Sequence, residues 1–189
     1  MVFSVTRAGL SFPLAASSAI WQQMAERGDI YLDSWRALIR LREEGRARSI
    51  GVSNFHEAHL RKIIDETGVI PAINQIELHP WLPQTELRDI DARLGIKTEA
   101  WSPLGSGRLI DDPVIAEVGA KHGKSPAQVM VRWSIQLGNI VLPKSVTPER
   151  IEQNIDVFDF ELDDADMAAI AGLESGRRTG PNPDDFNEA

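Results

Sequence analysis

Residues 48–68 read RSIGVSNFHEAHLRKIIDETG, a short apolar run followed directly by a helical pattern. The apolar run ends in polar Ser53 and Asn54. Residues 56–67 then predict a helix, and Gly68 closes it because glycine readily takes the left-handed conformation of a helix C-cap. The stretch therefore predicts one β-strand joined by a short loop to one α-helix.

The same strand-then-helix pattern recurs along the chain. Strands are predicted over residues 48–55, 72–78, 97–101 and 140–144. Helices are predicted over a segment that Ser34 caps and Gly45 ends, and over residues 56–67, 85–94, 114–122, 125–137, 147–157 and 163–173. Alternation at this spacing indicates right-handed βαβ units around a parallel sheet, in the α/β class.

Polar residues collect just after the predicted strands, where ligands bind in both doubly wound sheets and (β/α)₈ barrels. No Gly-x-Gly-x-x-Gly turn follows any strand, which argues against a Rossmann site. A barrel-type site is therefore favoured. A complete barrel needs eight strands, so the four predicted here amount to a half-barrel.

The composition is that of a globular protein: 42% of the 189 residues are hydrophobic and 25% are charged. A net charge of −8 and the lack of a basic run argue against a nucleic-acid partner. The chain has no cysteine, which excludes disulfides, thiol catalysis and cysteine-based zinc sites and fits a cytoplasmic protein. No membrane association is expected.

Residues 1–26 differ in character from the rest. Arg7 and the apolar residues 13–19 faintly resemble a secretory signal, but the apolar stretch is short and contains Pro13. We expect an atypical leader, non-native or disordered, then the half-barrel over residues 27–175 and an irregular loop over 176–189.

Four ordered motifs resemble the aldo-keto reductase family: the run from Ile39 to Phe55, Asn74–Pro80, Ala100–Gly105 and Leu142–Asn154. The resemblance covers about Gly28 to the C-terminus. It is strongest with bacterial enzymes similar to 2,5-diketo-D-gluconate reductase, whose C-terminal loop the run GPNPDDF, residues 180–186, resembles. The resemblance implies a (β/α)₈ TIM barrel that reduces small carbonyl substrates with NADPH.

The resemblance assigns residues at the nicotinamide end of the cofactor. Ser53, Asn54 and Gln75 would bind the carboxamide, since amide side chains complement its donors and acceptor. The alternative is that Ser53 and Asn54 cap the following helix. Trp101 would stack on the nicotinamide, and the alternative is an ordinary core tryptophan.

The most specific group begins at Lys144, which ends the last predicted strand, and continues with Ser145, Val146, Thr147 and Arg150. Two cations, two hydroxyls and the start of a helix, which Thr147 can cap, suit the dianionic 2′-phosphate that distinguishes NADPH from NADH. The alternative is a pair of solvated cations.

The resemblance extends this assignment to the rest of the cofactor. Gln153 and Asn154 would contact the adenine. The loop that would cover the pyrophosphate carries Ser102, Leu104 and Ser106. No metal site is expected.

The family's catalytic tetrad of Asp, Tyr, Lys and His has no match. The single tyrosine, Tyr31, lies downstream of the family's position for the histidine, every lysine lies at or after Lys62, and His79 reads as structural. We therefore expect no catalytic residue here and no reduction by the chain alone. The alternative function is a non-catalytic NADPH-binding or assembly module, in which exposed half-barrel edges favour self-association, with a homodimer as one form.

Overall fold

The computed structural model describes residues 2–5 and 30–183. Its strands are β1 Val2–Val5, β2 Ser49–Ser53, β3 Ile73–Glu77, β4 Lys97–Trp101 and β5 Ile140–Val141. Its α-helices are α1 Ile30–Glu43, α2 Glu57–Thr67, α3 Thr85–Arg93, α4 Pro113–His122, α5 Pro126–Gln136, α6 Pro148–Ile155 and α7 Asp164–Ala171. The strand order in the sheet is β1–β2–β3–β4–β5, with β1 antiparallel to β2 and the other four strands parallel. The predicted α/β class with four parallel strands is confirmed.

The chain divides into two compact units: the first comprises residues 1–75, 86–97 and 181–189, and the second comprises residues 76–85 and 98–180. In the first unit, α1 buries Trp35, and its indole Nε1 donates to Thr67 Oγ1 over 3.2 Å. The capped helix α2 buries Leu60 and Ile63.

Two residues fix the pairing of β2 with β3 in the first unit. A Cβ on Gly51 would lie 2.7 Å from the carbonyl oxygen of Ile73, so the close approach of the two strands requires glycine there. Asn74 is fully buried, and its side chain accepts from Phe55 N over 3.3 Å and donates to Phe55 O over 2.9 Å. Its amide also donates to Asp91. Asn74 therefore fixes the turn that leaves β2.

Helix caps and ion pairs organise the second unit. Asp112 caps α4, while capping boxes at Ser125 and Asp163 open α5 and α7. Lys121 pairs with both Asp163 and Asp166, joining the end of α4 to the start of α7. The apolar core of this unit includes Ile76, Leu78, Ala100, Leu109, Ile115, Val118, Val129, Met130, Trp133 and Ile170.

Two element boundaries differ from the predictions. Helix α1 begins at Ile30 and not at Ser34, whose hydroxyl donates to the Ile30 carbonyl over 2.9 Å, a bond that serine can make inside a helix. Strand β5 ends at Val141 and not at residue 144, because Pro143 has no N–H to continue the ladder. The other bounds agree with the predictions within two residues.

The leader and the tail are described only in part. Residues 2–5 of the predicted leader form β1, whose Val2 pairs with Val52, and the rest of residues 1–26 lies outside the described part of the chain. Residues 176–183 contain neither helix nor strand, and residues 184–189 lie outside the description.

Candidate functional site

In the first unit, the ends of β2 and β3 bring Ser53, Asn54 and Gln75 together. The Gln75 carbonyl accepts from Ser53 Oγ and from Asn54 N, each over 2.9 Å. Ser53 is buried, and Asn54 has a φ of 58°, a left-handed conformation that asparagine tolerates better than most residues. The Ser53 hydroxyl donates its hydrogen within the protein, so toward a ligand amide it offers an acceptor.

The alternative for Ser53 and Asn54, capping of the next helix, is wrong. The N-cap of α2 is His56, whose backbone N–H donates to His59 Nδ1 over 3.3 Å. The left-handed turn at Asn54 therefore lies between the end of β2 and the N-cap of α2.

In the second unit, a cavity of about 420 Å³ opens beside the loop that follows β5. Its lining includes eight of the predicted cofactor residues: Leu104, Lys144, Ser145, Val146, Thr147, Arg150, Gln153 and Asn154. Ile110 and the first residues of α5, Ser125–Ala127, complete it. The predicted phosphate and adenine residues thus share one concave surface, to which α5 and α6 both contribute their N-termini.

The two cations of this cavity, Lys144 and Arg150, differ from Lys121 and Lys124 of the same unit in their ion pairing. Lys121 and Lys124 each pair with two aspartates. Within residues 30–183, neither Lys144 nor Arg150 forms an ion pair, and both side chains are exposed. Their charges are therefore available to an anion, and the partial positive charge of the α6 N-terminus adds to them.

The loop between β5 and α6 is held by Ser145. Its hydroxyl accepts from Thr147 N over 3.1 Å and donates to Thr147 O over 3.4 Å. The prediction that the Thr147 side chain caps α6 is wrong: Thr147 occupies the N-cap position, but its hydroxyl makes no capping bond. The Ser145 turn satisfies the Thr147 N–H and leaves the Thr147 hydroxyl out of the cap.

The loop after β4 is tightly folded. Ser102 and Ser106 both have positive φ angles, 54° and 56°, and their hydroxyl oxygens lie 2.9 Å apart. The Ser106 N–H also donates to Ser102 Oγ. Trp101, at the end of β4, is half-buried. These three residues belong to the second unit but do not line its cavity.

Sequence reasoning assigned no role to Glu77, the last residue of β3. Its carboxyl is buried, and one oxygen accepts from His79 Nε2, from the hydroxyl and N–H of Thr179 and from Gly180 N. Burial raises the pKa of Glu77, but these hydrogen bonds outweigh burial and lower the pKa from 4.5 to about 2. The sequence did offer one signal of this role: Glu77 is a carboxylate in a strand whose other residues are apolar or carry a side-chain amide.

The described residues contain neither a metal-binding cluster nor a membrane-spanning helix. No group of three or more histidines, aspartates or glutamates there is placed to hold a metal ion. No helix among residues 30–183 is long and apolar enough to cross a membrane.

The sequence and the structure both match known proteins. Residues 10–175 match the model of the Aldo/keto reductase family, so the match begins upstream of residue 28. An aldo-keto reductase of Mycolicibacterium smegmatis is 62% identical over 157 residues, covering 83% of this chain and 57% of that protein. The methylglyoxal reductase DkgA of Escherichia coli is 49% identical over 160 residues, covering 84% and 58%.

Solved structures agree with this match. The apo crystal structure of Gox0644 superposes with a TM-score of 0.81 at 47% identity, covering 85% of this chain and 59% of that one. A mutant of Gox0644 in complex with NADPH gives 0.78 at 48% identity, with coverages of 81% and 57%. The chain thus spans little more than half the length of the relatives it matches. By sequence and by fold, it belongs to the aldo/keto reductase family.

Proposed function

We propose that this chain binds NADPH and carries the cofactor site of an NADPH-dependent aldo-keto reductase. The observation that carries the proposal is the cavity that places Lys144, Ser145 and Arg150 beside Gln153 and Asn154. The complex of a Gox0644 mutant with NADPH supports the choice of cofactor. Bound NADPH would supply the hydride for reduction of an aldehyde, a ketone or a keto sugar to an alcohol.

In this proposal, the cavity holds the adenosine end of the cofactor. Lys144 and Arg150 bind the 2′-phosphate, and the guanidinium adds two parallel N–H donors to the point charge of the ammonium. The hydroxyls of Ser145 and Thr147 complete the phosphate shell. Gln153 and Asn154, one to two turns further along α6, contact the adenine.

The nicotinamide end uses residues at strand ends. Ser53 accepts from the carboxamide NH₂, because its own hydrogen is donated to Gln75 O. Asn54 and Gln75 offer amide groups to the same carboxamide. In the second unit, Trp101 and the loop of Ser102, Leu104 and Ser106 keep the roles that the resemblance implies, at the nicotinamide ring and at the pyrophosphate.

We propose further that the chain alone does not reduce carbonyl compounds. Tyr31 is its one tyrosine. The Tyr31 ring packs edge-on against Phe55 and His59, at centroid distances of 5.4 and 5.7 Å, within the first unit. Lys62 Nζ also lies over this ring, 6.0 Å from its centroid. No Asp, Tyr, Lys and His set matching the family's tetrad was identified in the sequence.

A fluorescence titration of the purified chain with NADPH, with NADH in parallel, tests cofactor binding. Saturable binding at least about tenfold tighter for NADPH is expected, since the phosphate adds charge-assisted hydrogen bonds. Equal affinities, or no binding, would contradict the proposal. The same preparation should not oxidise NADPH when methylglyoxal is added. Turnover that Tyr31→Phe abolishes would instead identify Tyr31 as the acid.

A second candidate function, a non-catalytic assembly module, is favoured by apolar side chains on the second unit. Ile151 and Ile155 lie one turn apart on α6 and are exposed, as are Phe158 after the helix and Leu142 beside β5. Exposed apolar patches of this kind favour association. Light scattering across a concentration series distinguishes the two: a discrete dimer that binds NADPH without turnover supports the module, and a monomer excludes the homodimer.

A further inference from the structure

The segment Arg177–Gly180, which we term the C-terminal strap, is anchored on the carboxylate of Glu77. The Thr179 hydroxyl donates to Glu77 Oε1 over 2.6 Å, the Gly180 N–H donates over 3.2 Å, and the Thr179 N–H donates to the same oxygen. Arg178 Nη1 lies 3.7 Å from the other carboxylate oxygen. Four groups of a segment without helix or strand thus converge on one buried side chain.

Glu77 in turn needs the strap, because the strap supplies hydrogen-bond donors to its buried carboxylate. Its side chain is inaccessible to solvent, and a buried carboxylate is costly unless hydrogen-bond donors surround it. His79 Nε2, at 3.1 Å, is its hydrogen-bond partner from the strand side, and the remaining donors come from the strap. Release of the strap would leave a buried charge with most of its donors lost.

The strap has a second attachment at Trp81. The Arg177 guanidinium lies over the Trp81 ring, 4.4 Å from its centroid. The backbone N–H of Ser175, just before the strap, donates to Trp81 O over 3.1 Å. These two points and the Glu77 anchor fix the path of residues 175–180.

That path brings Gly180 against the edge of the Trp101 indole. A Cβ on residue 180 would lie 2.7 Å from Trp101 Cη2 and 3.6 Å from Cζ3. Real Cβ atoms do not come that close to another heavy atom, so any larger residue must displace the ring or the strap. Because residue 180 has no side chain, the backbone of the strap approaches the Trp101 ring closely. The strap thereby restricts the positions that the ring can occupy.

We propose that Glu77 and Gly180 are positioning residues for Trp101: Glu77 fixes the strap, and the strap, through Gly180, fixes the orientation of the indole. The contacts stand without any ligand. Their consequence for the cofactor rests on the proposed function, in which Trp101 supports the nicotinamide. The strap then holds the Trp101 ring in one orientation before the cofactor binds, which lowers the entropic cost of ordering the ring on binding.

Two readouts on the free chain test the proposal. Fluorine NMR of chain labelled with 5-fluorotryptophan reports on each of the five tryptophans, and Trp101→Phe assigns the relevant resonance. Limited trypsin digestion reports on the strap, because Arg177 and Arg178 are cleavage sites within it. Arg46, which is 63% exposed in the first unit, provides a cleavage site in the same digest that the strap should not affect.

Four substitutions separate the steps. Thr179→Val removes the hydroxyl donor and should speed strap cleavage about tenfold or more, with Arg46 cleaved as before. Thr179→Ser retains the hydroxyl and should restore protection. Gly180→Ala should shift the Trp101 resonance and leave those of Trp35 and Trp133 in place. Glu77→Gln should resemble Thr179→Val, and the strap variants keep the test valid if it does not fold.

Wild-type cleavage rates in Thr179→Val together with an unmoved Trp101 resonance in Gly180→Ala would overturn the proposal. Equal acceleration at Arg46 in Thr179→Val would also overturn it, because it would indicate general unfolding. An NADPH titration of Gly180→Ala tests the consequence separately, with weaker binding expected at an unchanged NADPH to NADH preference. If wild type does not bind NADPH, the proposed function fails, while NMR and digestion still decide the role of the strap.

Discussion

Because the carboxylate of Glu77 is buried and hydrogen-bonded, the free energy of unfolding of this chain should fall at acid pH. The hydrogen bonds from His79, Thr179 and Gly180 outweigh burial and hold the pKa of Glu77 at about 2, against an ordinary value of 4.5. Because the folded pKa lies below the unfolded one, the unfolded state binds the proton more readily. The stabilisation is therefore complete above pH 4.5 and is lost as the pH falls toward 2.

The size of the effect follows from that difference. A shift from 4.5 to about 2 corresponds to about 3 kcal/mol of stability at neutral pH. Urea unfolding followed by circular dichroism at a series of pH values measures it. The free energy of unfolding of wild type should exceed that of Glu77→Gln most near neutral pH, and the difference should shrink below pH 4.5.

Glu117→Gln is the matched control, because it removes an exposed carboxyl from α4 by the same chemical change. Its stability should follow the wild-type pH dependence. If wild type and Glu77→Gln lose stability in parallel as the pH falls from 7 to 2.5, the assignment of a strongly hydrogen-bonded, ionised Glu77 is wrong.

Two further predictions concern the pairing of β2 with β3. Asn74→Ala should lower the free energy of unfolding by about 3 kcal/mol, since it leaves the buried N–H and C=O of Phe55 without their side-chain partner. A loss below about 1 kcal/mol in urea unfolding would show that another group replaces the Asn74 amide. Gly51→Ala should cost about 1–3 kcal/mol, because its Cβ would lie 2.7 Å from Ile73 O, and unchanged thermal stability would mean that the strands separate freely.

The fold could be predicted from the sequence because its signals are local. Short strand patterns alternate with helical patterns along the chain, and glycines or caps such as Gly68 and Ser125 mark the helix ends. Where prediction failed, another interaction competed with the local signal. Ser34 bonds back to Ile30 inside α1, and Pro143 ends β5 early.

The candidate site could be predicted only in part. Seven residues of the contiguous run 144–154 line one cavity, and their binding of NADPH stays a prediction. The anchor of Glu77 on Thr179 joins residues 102 positions apart, and no spacing rule brings such a pair together. The Ser145 hydroxyl bonds to Thr147 N and O, and the sequence pattern, which predicts a side-chain cap from Thr147, gives no sign of this turn.

The claim that the second-unit cavity binds the 2′-phosphate is tested most directly by titration with adenosine 2′,5′-bisphosphate and adenosine 5′-phosphate. These two ligands differ only in that phosphate. The bisphosphate should bind at least about tenfold more tightly, and Lys144→Ala/Arg150→Ala should abolish the difference, as two charge-assisted contacts are lost. The control Arg93→Ala/Lys97→Ala removes two positive charges from the first unit and should keep the difference in affinity between the two ligands. Equal binding of the two ligands by wild type would contradict the account.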